Sequence, residues 1–479
     1  MHQRMGFYCT RSNRLLVLAF YGPACPYPWP PQWDMPNNGK GIGRVVREIY
    51  CDGNLSPIYF IRYNRHAGWD ESNTPYPFYQ SAADAEFIAA CDELLADKLA
   101  TQQWWEEDRA EDALFTISGQ KAFCYYHRAD EKVVGLWKNA HASLSADDGM
   151  HWRPVSDLST FRNGAQKMWA QRTPDGRYAV IYTPALHERY PLALVSGEDG
   201  SHFNDLLCVH GEVSPMRYSG FCKDRGPQYV RGIAEPNGQA EMDALWLTYS
   251  MNKEDIYVSR IPLPIRSIQE TPVSDSFDDL EPGPYVHGWN ILSGQWSPVA
   301  VVREKATNNQ CLELRDSDPY NHASALRVFP QTPKASLAFK LKAAQNEWGW
   351  MEIEVLDEAS QVALRLILDN RGWLQAPLQK QRQNVLPYAA DRWYDFRMEL
   401  DCGQTEYSLW IDGEPVVQNE PLPGSVKTVE RICFRTGESF GVPTPQPVHL
   451  AAQPDLPHAG IPVNEAVYWL DDVELTKAE

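Results

Sequence analysis

Three short segments set a basic or amide side chain beside an aromatic one: Gln3-Arg4, Gln166-Lys-Met-Trp-Ala-Gln-Arg172 and Gln228-Tyr-Val-Arg231. An arginine fork matches a carboxylate, and a lysine supplies a compact charge. A ring of Arg4, Lys167, Trp169, Arg172, Tyr229 and Arg231 would grip a sugar acid or sugar hydroxyls. Ion pairing between neighbouring structural elements is the competing use of the same residues.

Two further clusters could do chemistry. Arg62-Tyr63-Asn64-Arg65-His66 ends an apparent strand. There Arg62 would neutralise a uronate carboxylate, while His66 and Tyr63 serve as base and acid in a β-elimination. Trp104-Trp105-Glu106-Glu107-Asp108-Arg109 offers carboxylates beside indole rings. Glycoside hydrolysis needs two carboxyl groups facing each other across the scissile bond. Glu106 and Glu107 are chain neighbours, so one of them would pair with a distant carboxylate such as Asp255. Trp104, Trp105 and Arg109 would then hold the sugar. Each cluster has a plain alternative, a surface histidine in the first and a solvated acidic rim in the second. Lys138-Asn139 and Asn252-Lys253 follow strand-like runs and pair an amide with a cation. Arg217-Tyr218 and Lys223-Asp-Arg225 would add positive charge ahead of Gln228, with Arg225 nearest to it.

The elements that must position these groups are strands. The run Val133–Trp137, a second piece at 140–144 and then Ser145-Ala-Asp-Asp-Gly-Met-His-Trp152 form a strand–turn–strand unit. Asp collects backbone N–H groups in such a turn, and Gly supplies positive φ. A second copy, Ser196-Gly-Glu-Asp-Gly-Ser-His-Phe203, follows Tyr178–Tyr182 and Leu192–Val195. The first copy resembles the Asp-box of the sialidase-like β-propellers through Ser145, Asp147, Gly149 and Trp152. In the second, Ser196, Gly200 and Phe203 match, with Glu198 in place of the Asp. The resemblance covers residues 1–265 and is similar to an uncharacterised carbohydrate-active branch of these (BNR-repeat) propellers. It implies four-stranded blades and a site at the ends of the inner strands. A true sialidase would also need an arginine triad, and no spacing here marks one.

Four blades are legible, in 1–61, 116–158, 165–212 and 226–265, and a helical insertion near 80–105 interrupts them. We expect an all-β chain with a propeller of five or six blades, incomplete at the N-terminus, because His2–Cys9 already reads as an inner strand. Earlier blades and an export signal would precede it, which would make the protein secreted or periplasmic; without them it would be cytoplasmic. A linker is expected at 266–287. Residues 288–479 alternate apolar and polar positions over many short runs and read as a β-sandwich. Tyr407–Gly413 and Trp469–Leu475 there resemble concanavalin-like (laminin-G-like) modules. Trp348, Trp350 and Trp373 would serve either as a sugar platform or as sandwich core.

The 479 residues carry 44 Lys plus Arg against 63 Asp plus Glu, a formal charge of −19. That balance disfavours nucleic acid and anionic membrane as partners. No apolar run is long enough to span a bilayer. The ten cysteines show no CxxC spacing, and neither a metal motif nor a cofactor fingerprint is found. The expected partner is a carbohydrate, with no cofactor and no metal. The expected activity is hydrolysis of glycosides in a plant, algal or bacterial glycan, including one with an acidic sugar. Elimination next to a uronic acid and glycan binding without catalysis are the alternatives.

Overall fold

The computed structural model describes residues 2–22, 42–104, 122–157, 160–163, 166–185, 189–220, 223–238, 241–304, 309–440 and 454–477. The chain divides into two compact units. One holds residues 1–213 and 219–265, the other 266–441 and 454–479 together with the short segment Ser214–Tyr218.

The first unit is built from four antiparallel up-and-down sheets. The first comprises β1 (His2–Cys9), β2 (Leu15–Tyr21), β3 (Gly43–Ile49) and β4 (Tyr59–Tyr63). The second comprises β5 (Cys124–His127), β6 (Val133–Trp137), β7 (His141–Ser145) and β8 (Ser156–Asp157). The third comprises β9 (Trp169–Arg172), β10 (Tyr178–Tyr182), β11 (Leu192–Gly197) and β12 (Asn204–His210), and the fourth β13 (Pro227–Arg231), β14 (Ala244–Met251) and β15 (Asp255–Pro262). Middle strands such as Val133–Trp137 and Tyr178–Tyr182 are buried at every position. This is why they read as continuous apolar runs: neighbouring sheets cover both faces.

Between the first two sheets lie helices α1 (Ala85–Ala96) and α2 (Lys98–Trp104). Asp84 caps α1 by accepting the amides of Glu86 and Phe87 at 2.9 and 3.2 Å. Phe87, Ala90, Cys91 and Leu94 form its buried stripe and pack on Leu16, Leu18 and Val46 of the first sheet.

Both turns noted in the sequence join the third and fourth strands of their sheets. In the first, Ser145 Oγ accepts the Gly149 amide at 2.9 Å, and Asp147 takes the amide and ring of His151 at 2.8 and 2.6 Å. Trp152 closes it against Trp137 and Phe123, with centroids 5.5 and 5.8 Å away. In the second turn, Glu198 stands at the Asp position, but it is not the residue that makes the turn's contacts. Asp199, one residue later, accepts the amides of Ser201 and His202, both at 2.8 Å, and binds the His202 ring at 2.7 Å. The function of the carboxylate is kept while its position slides.

A strap ties sheets that are distant in sequence. Asn237 accepts the Cys9 amide at 2.7 Å and donates to the Phe7 carbonyl at 3.1 Å. Glu235 accepts the amide and ring of His127, at 2.6 and 2.5 Å. The segment after β13 thus holds the C-terminal ends of β1 and β5.

The second unit is a sandwich of an eight-stranded and a seven-stranded antiparallel sheet. Lys334–Ala343 lies between Ala466–Lys477 and Arg392–Asp401 in the first, and Met351–Leu356 lies between Val429–Arg435 and Val362–Leu368 in the second. Their inner faces share one core that includes Leu337, Phe339, Ile353, Leu366, Phe434 and Leu470. The stretch read as a linker, 266–287, contributes to this unit. Val273–Asp275 pairs with Val473–Leu475, and Val273, Phe277 and Val286 are buried in the core. Its Ser, Asp, Pro and Gly content hid three apolar anchors.

Among the described residues, eight cysteines are free thiols, and no helix is long and apolar enough to cross a membrane.

Candidate functional site

In an up-and-down sheet, alternate connections lie at opposite ends of the strands. The turn between second and third strands, the approach to the innermost strand and the exit of the fourth therefore share one rim. The two turns at 145–152 and 196–203 lie on the other rim, as does the strap 235–237.

The shared rim of the third and fourth sheets carries an unusual residue. On β13, Gln228 faces Ser250 and Arg231 faces Thr248, so β13 has one residue too many and bulges. Tyr229 sits in that bulge with φ at 58°, in the left-handed region that a ring-bearing side chain rarely adopts. Gln228 and Val230 on either side are each 3% exposed, while Tyr229 is 41% exposed. The bulge spends backbone strain to turn one aromatic ring outward, a combination that concentrates at functional sites.

Three cations surround that ring. Lys167 Nζ is 5.0 Å from its centroid, Arg189 Cζ 5.4 Å and Lys253 Nζ 5.7 Å. All lie within cation–π range. Lys167 precedes β9 and is only 8% exposed. Arg189 comes from the β10–β11 connection, and Lys253 from the β14–β15 turn. Asn252 and Lys253 both have positive φ there. The Asn252 side chain accepts the Gly226 amide at 2.8 Å, locking this turn to the start of β13.

One carboxylate joins the group. Asp224 Oδ2 lies 2.7 Å from Arg189 Nε and 3.6 Å from Lys253 Nζ. Glu254 pairs with Lys223 on the same rim. Gly226 makes the arrangement possible: its φ is 91°, and a Cβ there would stand 2.3 Å from the Arg189 carbonyl oxygen. Buried polar atoms without hydrogen bonds cost free energy. Three occur on the segment 224–228: Asp224 Oδ1, Arg225 Nε and Gln228 Oε1. A polar ligand or bound water would satisfy them. The rim therefore presents an exposed ring, a cluster of cations and buried polar atoms without hydrogen bonds, which together suit an anionic, hydroxyl-rich molecule.

The sequence-predicted residues divide clearly. Lys167, Tyr229 and Lys253 are brought together, and Arg225 lies on the buried segment beside them. Arg231 ends β13 with its guanidinium 5.6 Å from the Trp169 ring. Trp169 is no sugar platform: it is 2% exposed, and its indole N–H donates to Gln171 at 2.8 Å. A ring of that size at the start of an inner strand fills the space between sheets. Arg172 is exposed at the far end of β9 from Lys167. Asp255 begins β15 directly after the Lys253 turn. Lys138 occupies the equivalent turn of the second sheet, next to positive-φ Asn139 and Ala140, and is not among the cations at Tyr229. Arg217, expected to add charge here, is grouped with the sandwich, where it lies 3.9 Å from Asp318.

In the elimination cluster, Tyr63 is turned into the core. Tyr63 is buried against Phe60 and Phe78, and its hydroxyl donates to the Tyr76 carbonyl at 3.3 Å. Burial pushes its pKa up, so it is held as a neutral phenol. Arg62 lies on β4, opposite Arg44. The backbone of His66 lies in the short helical turn 65–67; its side chain is outside the described residues, as is that of Arg4 on β1. Trp104 packs over Gly6 and joins the core of the first sheet, which removes it as a sugar platform. Trp105, Glu106, Glu107 and Arg109 lie outside the described residues.

Arg189 and Asp224 were missed. Arg189 sits in a loop of mixed character, His187-Glu-Arg-Tyr-Pro191. The available signal was positional: it connects second to third strand, as Lys138 and Lys253 do. Among the described residues, no three His, Cys, Asp or Glu side chains gather as metal ligands.

Residues 1–121 match the family described as "BT_1020-like, N-terminal beta propeller", and residues 289–448 the family described as "Sialidase-like, CBM domain". A solved structure described as "Sialidase" is 38% identical with a TM-score of 0.91; the match covers 100% of this chain and 43% of that one. The chain thus spans less than half the length of that structure. A Trypanosoma rangeli sialidase is 10% identical over 98% of this chain and 78% of its own, with a TM-score of 0.24, and the alginate lyase Aly36B is 10% identical over 44% and 98%, with a TM-score of 0.30. At those scores neither fold nor activity carries over. No curated protein matches in sequence.

Proposed function

We propose that this chain, which is similar to sialidase-like proteins in its N-terminal propeller and its CBM-type sandwich, acts in glycoside hydrolysis on a glycan bearing an acidic sugar. The cations around Tyr229 hold the acid group. The observation that carries this reading is the convergence of Lys167, Arg189 and Lys253 on one exposed, strained ring. Charge-assisted hydrogen bonds from such groups to a carboxylate are the strong ones. The Tyr229 face takes the apolar side of the sugar ring.

Hydrolysis also needs carboxyl groups at the bond. Asp224, 2.7 Å from Arg189 and 3.6 Å from Lys253, would orient or deprotonate a nucleophile. Asp255, Glu106 and Glu107 are the candidates for its partner. A cation set of this kind would also stabilise the intermediate of an elimination, so the products decide the reaction class. With Tyr63 buried, elimination at the Arg62–His66 cluster would rest on His66.

The test is digestion of sialylated and uronate-capped oligosaccharides by the full chain, with products followed by mass and ultraviolet absorbance. Release of a sugar acid with addition of water is expected, and Lys167→Met and Arg189→Ala should reduce it. An unsaturated product would replace hydrolysis with elimination. Binding of the acid without turnover would leave a lectin-like role. Indifference to both substitutions would remove the Tyr229 rim from the reading.

A further inference from the structure

The sandwich has a cavity of about 620 Å³ at one end, within the range of small-molecule sites. It is lined by Asp316 at the end of the strand Gln310–Asp316, Asp318 just beyond it, Trp348 and Trp350 from the loop before Met351–Leu356, and Asn370 and Asn464. We infer that this cavity is a binding site for a neutral sugar, chemically distinct from the cationic rim of the other unit.

Three observations carry the inference. First, the two indoles are fixed in place. Trp348 Nε1 donates to the Glu465 carbonyl at 3.0 Å, and Trp350 Nε1 donates to Glu352 at 3.1 Å. Both indole N–H groups are thus spent on the protein. Trp348 is 41% exposed, an unusual position for so large an apolar group, whereas Arg382 lies over one face of Trp350, 5.8 Å from its centroid. Second, the loop that carries them is specified closely. Gly349 has φ at 87°, and a Cβ there would come within 2.7 Å of both the Ala466 methyl and the Tyr468 hydroxyl. Only glycine lets the loop approach that strand so closely, and this fixes the directions of Trp348 and Trp350.

Third, the polar lining suits hydroxyls rather than acids. Asp316 accepts the Thr436 hydroxyl at 2.6 Å and the Asp318 amide at 2.9 Å, so its carboxyl is oriented. Among the described lining residues there is no Lys or Arg. With Asp318 already paired to Arg217 at 3.9 Å, the described lining offers a sugar acid no cation to pair with, whereas its carboxyl and amide groups suit vicinal hydroxyls. Burial pushes the Asp316 carboxyl up to about 7, so near neutrality it is shared between its protonated and ionised forms and offers a donor as well as acceptors.

The test titrates the full chain with cellobiose, lactose, xylobiose and sodium glucuronate, read by calorimetry and by tryptophan fluorescence. At least one neutral disaccharide should bind. Trp348→Ala should weaken it about tenfold, as expected for an aromatic anchor. Trp348→Phe, which keeps a ring, should stay within about threefold of the parent and controls for misfolding. Lys167→Met should leave neutral-sugar binding unchanged, which separates this site from the Tyr229 rim. Failure of all three neutral sugars to bind would overturn the inference. So would binding that ignores Trp348→Ala, or Trp348-dependent binding of glucuronate stronger than that of the neutral sugars.

Discussion

Replacing Lys167 with methionine should weaken acid binding while leaving the fold at least as stable. Lys167 Nζ and Lys253 Nζ lie 5.0 and 5.7 Å from one ring centroid. The two charges are therefore no more than about 11 Å apart, and at an effective dielectric of about 20 they repel by at least about 1.5 kcal/mol. Arg189 is similarly close and adds a comparable amount, part of which Asp224 offsets. Removing Lys167 also loses a cation–π contact worth about 0.5–2 kcal/mol. The two effects oppose each other, so the unliganded stability should change by no more than about 2 kcal/mol. A bound carboxylate, by contrast, loses a charge-assisted hydrogen bond worth about 1.5–3 kcal/mol, or about 10- to 150-fold in affinity. At a ligand concentration 100 times the parent's Kd, the parent gains about 2.7 kcal/mol of stability. A variant weakened about 100-fold would gain only about 0.4 kcal/mol under the same conditions. The assay is thermal or urea unfolding of both proteins, with and without sodium glucuronate or N-acetylneuraminate. Full retention of the ligand-induced gain in Lys167→Met would refute the reasoning, as would an equal gain from glucose.

Gly226→Ala forces a Cβ to within 2.3 Å of the Arg189 carbonyl oxygen at a φ of 91°; it should cost about 2 kcal/mol or more by chemical denaturation and reduce acid binding by displacing Arg189. His127, held by Glu235 first and Asp148 second, has its pKa raised to about 9. Its contribution is complete below its unfolded value near 6.5 and is lost as pH rises through 9. Because the ring is partly exposed, that contribution is about 1 kcal/mol, and Glu235→Gln should flatten the unfolding profile over that window. His210 is buried against Tyr249, and burial lowers its pKa to about 4. The folded state therefore binds fewer protons than the unfolded chain, and stability should fall as pH drops from about 6.5 through 4. His210→Phe should remove that part of the acid dependence.

The sheets were legible because their physics is local. Val133–Trp137 and Tyr178–Tyr182 are apolar throughout since both faces are covered, and the Ser145–Trp152 turn carries its own capping groups. The site was legible only where the residue type itself betrayed it. Tyr229 beside Gln228 and Arg231 stood out in the sequence, and so did Lys167 and Lys253. Nothing local marks the bulge that turns Tyr229 outward, because it arises from register against β14. Trp169 reads the same whether it faces a sugar or a neighbouring sheet, and only packing decides. Arg189 and Asp224 acquire their meaning from each other across a long chain separation. The slide from Glu198 to Asp199 shows a turn keeping a carboxylate's role while the motif loses its letter.

The pairing of Val273–Asp275 with Val473–Leu475 has a mechanical consequence. The strand that follows Arg266 and the strand that ends at Lys477 lie side by side and antiparallel. Tension applied through the flanking chain would peel those hydrogen bonds one at a time, as a zip opens, instead of shearing them together.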